Sequence, residues 1–190
     1  MADPPSRKRF GEAGAPWRLT TRLARWRVPL GYALALFAFW LADPTARSLA
    51  IGGVLAAAGE ALRIWAAGHL EKGREVTTSG PYAFTRHPLY AGSSIMGAGF
   101  AVAANSVAVA VMVGLYLIVT VGAAIRSEEA HLTDKFGARY PAYRDGGAAT
   151  DRRRFSVVRA MRNREYRAVA GVLLTFALLA AKLYSRSASY

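Results

Sequence analysis

Five apolar stretches separated by short breaks and basic flanks constrain this chain to a bundle of membrane-spanning helices. They cover approximately residues 28–42, 48–70, 90–105, 107–125 and 168–184. A spanning helix needs roughly 17 to 25 apolar residues at about 1.5 Å each. The first and third stretches are therefore short, and their tilt is restrained or their flanking side chains snorkel. Asp43-Pro44-Thr45 breaks the first pair and Asn105-Ser106 the second, with turns too tight to hold a domain between them. The expected fold is all-α, a polytopic membrane protein of about five transmembrane helices arranged as two helical hairpins plus a C-terminal helix. Residues 1–27 form a basic N-terminal segment, 28–151 the membrane core, and 152–190 an Arg-rich segment with a C-terminal transmembrane or interfacial helix.

Composition agrees with this reading. At 53% hydrophobic residues the 190-residue chain is too apolar for an ordinary soluble domain. No β alternation leads into a glycine-rich turn and helix, which argues against a soluble nucleotide-binding domain. The lack of cysteine excludes disulfides, thiolate metal sites and a cysteine nucleophile. A formal charge of +13 would suggest nucleic acid in a soluble chain, but here the cations flank apolar stretches instead of interleaving with exposed aromatics. The expected partner is anionic lipid, not nucleic acid. Arg7, Lys8, Arg9, Arg18, Arg22, Arg25 and Arg27 precede the first stretch with no small-residue cleavage site after an apolar core, so this reads as an uncleaved juxtamembrane segment.

Charge also orients the bundle, since cytoplasmic flanks carry the excess of Lys and Arg. Of the 25 such residues, only Arg47, Lys182 and Arg186 fall on the face opposite the N-terminus, with Arg63 inside the second stretch. The N-terminus is expected in the cytoplasm and the C-terminus opposite, unless the fifth helix lies in the interface.

Two polar runs then return to one face. The first is Gly80-Pro81-Tyr82-Ala83-Phe84-Thr85-Arg86-His87-Pro88-Leu89-Tyr90-Ala91-Gly92, and the second Glu128-Glu129-Ala130-His131-Leu132. Pro81 and Pro88 predict an ordered, turn-rich loop that enters the third helix near Pro88, with His87 at its start. Exposed N–H groups there favour a carboxylate or phosphate, and Tyr82 and Tyr90 offer π faces to a cation or a purine. The same loop also reads as a membrane re-entry segment with Arg86 and the tyrosines at the headgroups. Glu128 and Glu129 lie about 100° apart on a helix, so one can face the bundle while the other faces water or a basic loop. Glu128 and His131 have the Glu-x-x-His spacing of bridged metal sites, but a second copy and further acids are lacking, and no metal is expected.

Three further features have local readings. Glu60 and Arg63 suit an ion pair inside the second helix. Gly97-Ala98-Gly99 with Ser93 gives a small-residue packing face. Arg152-Arg153-Arg154 with Arg159, Arg162, Arg164 and Arg167 reads as a basic segment on anionic lipid.

Together these residues resemble the membrane methyltransferases of the isoprenylcysteine carboxyl methyltransferase and phospholipid methyltransferase superfamily. The shared pattern is the Gly80 to Gly92 run, an apolar hairpin, Glu128 to Leu132, and a trailing Phe136-Gly137-Ala138-Arg139-Tyr140-Pro141-Ala142-Tyr143, within roughly residues 60–143. The resemblance implies S-adenosylmethionine held beneath the cytoplasmic face by Arg74, Glu75, Val76, Thr77, Tyr82, His87, Pro88, Leu89, Tyr90 and Glu128. A lipophilic or prenylated acceptor enters from the lipid. It implies methylation of the isoprenylcysteine carboxyl type, with phosphatidylethanolamine-type N-methylation and a non-catalytic protein of the same fold as alternatives. Arg126 and Glu129 are the candidate catalytic residues: Arg126 to orient a carboxylate, Glu129, with His87 or His131, to accept a proton from an amine. The eukaryotic carboxyl methyltransferases place a substrate-binding arginine four residues before the first glutamate, where this chain has Ala124.

Overall fold

A computed structural model describes residues 31–146 and 152–188. The chain divides into a unit of Met1–Phe37 and a unit of Ala38–Tyr190. The basic segment 1–27 and the boundary expected at residue 151 lie outside the described residues. In the first unit the described residues are the opening turns of α1 (Gly31–Leu41). The second unit holds its last turn, then α2 (Ala46–His69), α3 (Pro88–Ala104), α4 (Val107–Phe136), α5 (Arg139–Arg144), α6 (Val157–Arg162) and α7 (Tyr166–Ser187). A short 3-10 turn, Gly80–Ala83, precedes α3, and no strand occurs among the described residues. The expected all-α class holds. α2, α4 and α7 are long and apolar enough to cross a membrane, whereas α1 and α3 are the two shorter apolar helices.

Both expected breaks are built from local hydrogen bonds. Thr45 caps α2 through a reciprocal box: its Oγ1 accepts from Ser48 N at 3.0 Å, and Ser48 Oγ accepts from Thr45 N at 2.9 Å. Asn105 ends α3 in the left-handed conformation at φ 49°, which asparagine tolerates better than most residues. Its side-chain amide donates to Asp43 O at 3.0 Å, and Asp43 N donates to Ala104 O at 2.8 Å. The two hairpin turns are thereby joined side by side.

α2 and α3 form the most extensive helix contact, along Gly52, Ala56 and Gly59 on one side and Gly92, Met96, Gly99 and Ala103 on the other. The backbones touch, as small residues permit in a membrane. The expected packing face of α3 is divided: Gly99, with Gly92, meets α2, whereas Gly97 admits Leu117 of α4. Residues two apart on a helix point about 200° apart, so Gly97 and Gly99 serve different neighbours.

α7 reaches along the bundle. Glu165, just before it, bonds Arg63 of α2, while near its end Lys182 donates to Trp40 O at 2.9 Å and Arg186 pairs with Asp43. Around this second end Ala42, Ala103, Ala104, Val109 and Leu179 form the buried core. At the other end α6 covers the last turn of α2: Ser156 N donates to Gly68 O at 3.1 Å, and Asn163 Nδ2 donates to Ala67 O at 2.8 Å and Leu70 O at 3.0 Å. These donors satisfy carbonyls that a helix end leaves without partners. Arg159 adds another to Gly68 O and, with Arg162, grips Glu71 at 2.8 to 2.9 Å. The Arg-rich segment is therefore partly consumed as a cap: Arg153 pairs with Glu75, and Arg152, Arg154, Arg164 and Arg167 are exposed.

Candidate functional site

The loop before α3 is held by close packing. Gly80 has φ 59°, and a Cβ there would meet the His69 ring at 2.7 Å, so glycine is required on two counts. Pro81 and Pro88 are buried, and Pro88 occupies the first turn of α3, where its missing N–H costs nothing. His87 stands immediately before it.

α4 runs 30 residues, about 45 Å, and so extends past a hydrocarbon layer about 30 Å thick. Its polar last turns carry Glu128 and Glu129 back to His87. His87 Nε2 lies 3.1 Å from Glu129 Oε1, and Nδ1 lies 4.0 Å from Glu128 Oε2. Arg86 is 3.5 Å from the same Glu129 oxygen. The two adjacent carboxylates thus flank one imidazole, with Glu129 taking the basic loop. The His87 and Tyr90 rings lie tilted by 38° with their centroids 5.9 Å apart.

Tyrosines close around this group. Tyr143 donates its hydroxyl to Tyr82 O at 2.6 Å, tying α5 to the loop. The Tyr82 hydroxyl is buried without a hydrogen-bond partner, and the Tyr140 hydroxyl is buried beside Glu129; those residues are 8% and 2% exposed. Burial, reinforced by the Glu128 charge, raises the Tyr82 phenol above its ordinary range. Burial next to the Glu129 charge pushes Tyr140 up to about 12. Both phenols are neutral donors at physiological pH.

A second charged group adjoins this one. Arg63 donates through Nε and Nη2 to both oxygens of Glu165 at 2.9 to 3.2 Å, and through Nη1 to Ser93. Glu60 Oε2 is 3.6 Å from Arg63 Nε. The expected Glu60–Arg63 pair exists, but the shorter bonds of Arg63 go to Glu165.

The structure brings together Tyr82, His87, Tyr90, Glu128 and Glu129, with Pro88 buried and Leu89 half-buried at the start of α3. The hydrogen bonds and ion pairs of Arg74, Glu75 and Thr77 go to other residues. Arg74 is exposed 3.9 Å from Glu71, Glu75 pairs with Arg153, and buried Thr77 accepts from Glu71 N at 3.3 Å. Val76 is half-buried in the same loop. Arg126 and His131 are exposed on α4 outside the His87 cluster. Tyr140, Tyr143 and Glu165 went unassigned in the sequence. The Tyr-x-x-Tyr spacing was a usable signal for the first two, and Glu165 is the one acid between Arg152 and Arg167.

Among known proteins, the model of the phospholipid methyltransferase family matches residues 26–139. The chain is 32% identical over 126 residues to a cobalt-zinc-cadmium resistance protein, CzcN, of Cupriavidus metallidurans; the match covers 60% of this chain and 56% of that one. The chain thus spans little more than half the length of this relative. No solved structure matches.

Proposed function

Since the chain belongs to the phospholipid methyltransferase family, we propose that it is an integral membrane methyltransferase that uses S-adenosylmethionine to methylate a lipophilic acceptor. The observation that carries this reading is the convergence of Tyr82, His87, Tyr90, Glu128 and Glu129 at the ends of α3 and α4. The residues present suit such a donor. The buried Tyr82 hydroxyl, which has no partner, and two carboxylates offer polar contacts, and tyrosine faces attract a sulfonium. Tyr82, Tyr90 and Glu128 would hold it, with His87, Pro88 and Leu89 lining the pocket. By the motif, Arg74, Glu75, Val76 and Thr77 would contribute from the loop before Tyr82.

When bound, the donor supplies a methyl group already activated on sulfur, so the chain needs alignment and exclusion of water more than a nucleophile of its own. His87 supplies the proton chemistry. With Nε2–H donated to Glu129, the Nδ1 lone pair is left to take a proton from an ammonium, and Glu129 holds the ring in that orientation. An amine lipid of the phosphatidylethanolamine type is the acceptor this dyad favours. Carboxyl O-methylation of an isoprenylcysteine is the second reading, with exposed Arg126, three residues before Glu129, as the carboxylate's partner; Ala124 speaks against it. The cation bias assigns the site to the cytoplasmic face, where exposed Arg152, Arg154, Arg164 and Arg167 meet anionic headgroups.

The test is a labelled-methyl assay on the purified chain with a total lipid extract. Base-stable label in a headgroup supports N-methylation, and base-labile label supports a methyl ester. Calorimetry in detergent should find donor affinity reduced about tenfold or more in Glu128→Ala and in His87→Ala, since a charged hydrogen bond is worth about 1.5 to 3 kcal/mol. Unchanged affinity in both variants refutes the site.

A further inference from the structure

The Arg63 group holds a charge that nothing in it balances. Glu60 lies within α2 and is 6% exposed, yet neither of its carboxylate oxygens has a hydrogen-bond partner. Arg63 is committed elsewhere, forked onto Glu165 and bonded to Ser93, and reaches Glu60 only at 3.6 Å. Two carboxylates therefore share one guanidinium. A buried carboxylate without hydrogen bonds is costly when ionised, so Glu60 either carries a proton or awaits a cation.

Location distinguishes this from a packing defect. Ser93 lies six residues beyond His87 on α3, about 9 Å along the axis. The buried, unpartnered Tyr82 hydroxyl is within electrostatic reach of both Glu128 and Glu165. Through Arg63 and Ser93, Glu165 and Glu60 are tied to the helix that His87 begins. An anionic ligand group is repelled by the excess carboxylate, whereas an ammonium completes it and gives Glu60 the hydrogen bonds it lacks.

We propose that Glu60 is the binding residue for a ligand ammonium group within the methyltransferase pocket, a role that rests on the function proposed above. The ammonium belongs either to the amine acceptor or to the amino-acid end of the methyl donor.

Glu60→Gln keeps the shape and removes the charge, and is examined in the full chain in lipid nanodiscs. Calorimetry with S-adenosylhomocysteine and with methylthioadenosine, which lacks the amino-acid end, reads the donor. Titration of phosphatidylethanolamine in the labelled-methyl assay reads the acceptor. If the donor's ammonium binds Glu60, S-adenosylhomocysteine affinity falls about tenfold and methylthioadenosine affinity is unchanged. If the acceptor's does, KM for phosphatidylethanolamine rises about tenfold while kcat and donor affinity hold. Retention of all three within twofold overturns the assignment. Infrared difference spectra of the wild-type chain are an independent check: a protonated carboxyl band, absent from Glu60→Gln, should vanish on ligand addition, and a band that persists at saturation also overturns it. A wild-type chain that binds neither nucleoside removes the enzymatic reading itself, whereas wild-type binding with an indifferent Glu60→Gln removes only the role of Glu60.

Discussion

Gly59→Ala isolates the packing on which the site depends. A Cβ at residue 59 would lie 2.6 Å from both Gly92 O and Met96 N, and ordinary contact begins near 3.4 Å. Both obstacles are backbone atoms in the middle of α3, so no side chain can swing aside. The helices must separate by about 0.8 Å along that line. A radial gap of about 0.5 to 1 Å forfeits roughly a quarter to a half of each dispersion well along the seam. Overpacking of this kind costs about 1 to 3 kcal/mol. The control is Gly114→Ala, where a Cβ meets nothing within 4 Å, and where the better helix former should add roughly 0.5 to 1 kcal/mol. Equilibrium unfolding in mixed detergent micelles, followed by tryptophan fluorescence, compares the two. Because Gly52 meets Gly99 and Ala103 on the same seam, the double variant Gly52→Ala/Gly59→Ala should lose less than the sum of its parts, the helices having already moved apart. If Gly59→Ala is as stable as wild type, or gains as much as Gly114→Ala, backbone contact between α2 and α3 is refuted.

Other perturbations address single links. Arg63→Ala strands Glu60 and Glu165 as unpaired buried carboxylates and should cost about 3 to 5 kcal/mol in the same unfolding assay. Tyr143→Phe removes the 2.6 Å bond to Tyr82 O and should cost about 0.5 to 1.5 kcal/mol, with faster hydrogen exchange in residues 80–84 as its local sign. At Glu71 the hydrogen bond from Arg159 holds the carboxyl below its ordinary 4.5. A depressed folded value means that stability is present above the unfolded value and lost as pH falls from about 4.5 through the folded value. Thermal unfolding as a function of pH should therefore fall less steeply in this acid range for Glu71→Gln than for wild type.

What the sequence made legible was mostly local or periodic. Spans and breaks were readable because apolar length and turn chemistry are written in consecutive residues, as at Thr45 and Asn105. The meeting of His87 with Glu129 was readable one step further, because a helical hairpin must bring its ends back to one face. The partner of Arg63 was not. An i,i+3 carboxylate at Glu60 offered a local answer, and nothing in the spacing indicates that a residue 102 positions onward forms the bidentate pair. The Arg-rich segment was legible only in part, for a related reason. Its function as a cap depends on the unpaired carbonyls of Ala67, Gly68 and Leu70, which are backbone groups that composition does not display. The donor segment 74–77 is an expectation carried by motif alone, and its contacts lead to Glu71 and Arg153.

The pairs at the two ends of α7 decide how that helix runs, which charge counting left open between a spanning and an interfacial course. Glu165 is fixed to Arg63, in the half of α2 nearest His69, and Arg186 is fixed to Asp43, just before α2 begins. The 21 residue steps from Glu165 to Arg186 rise about 32 Å in a helix, close to the roughly 30 Å of a hydrocarbon layer. An interfacial helix holds both ends at one depth and cannot make both contacts. α7 therefore lies antiparallel along α2 and crosses what α2 crosses. The same contacts bear on the charge bias behind the proposed cytoplasmic site. Of the three cations on the opposite face, Arg186 is matched by Asp43, and Lys182 is bound by the carbonyls of Phe39 and Trp40. Arg47 is left as the one cation there without such a partner among the described residues.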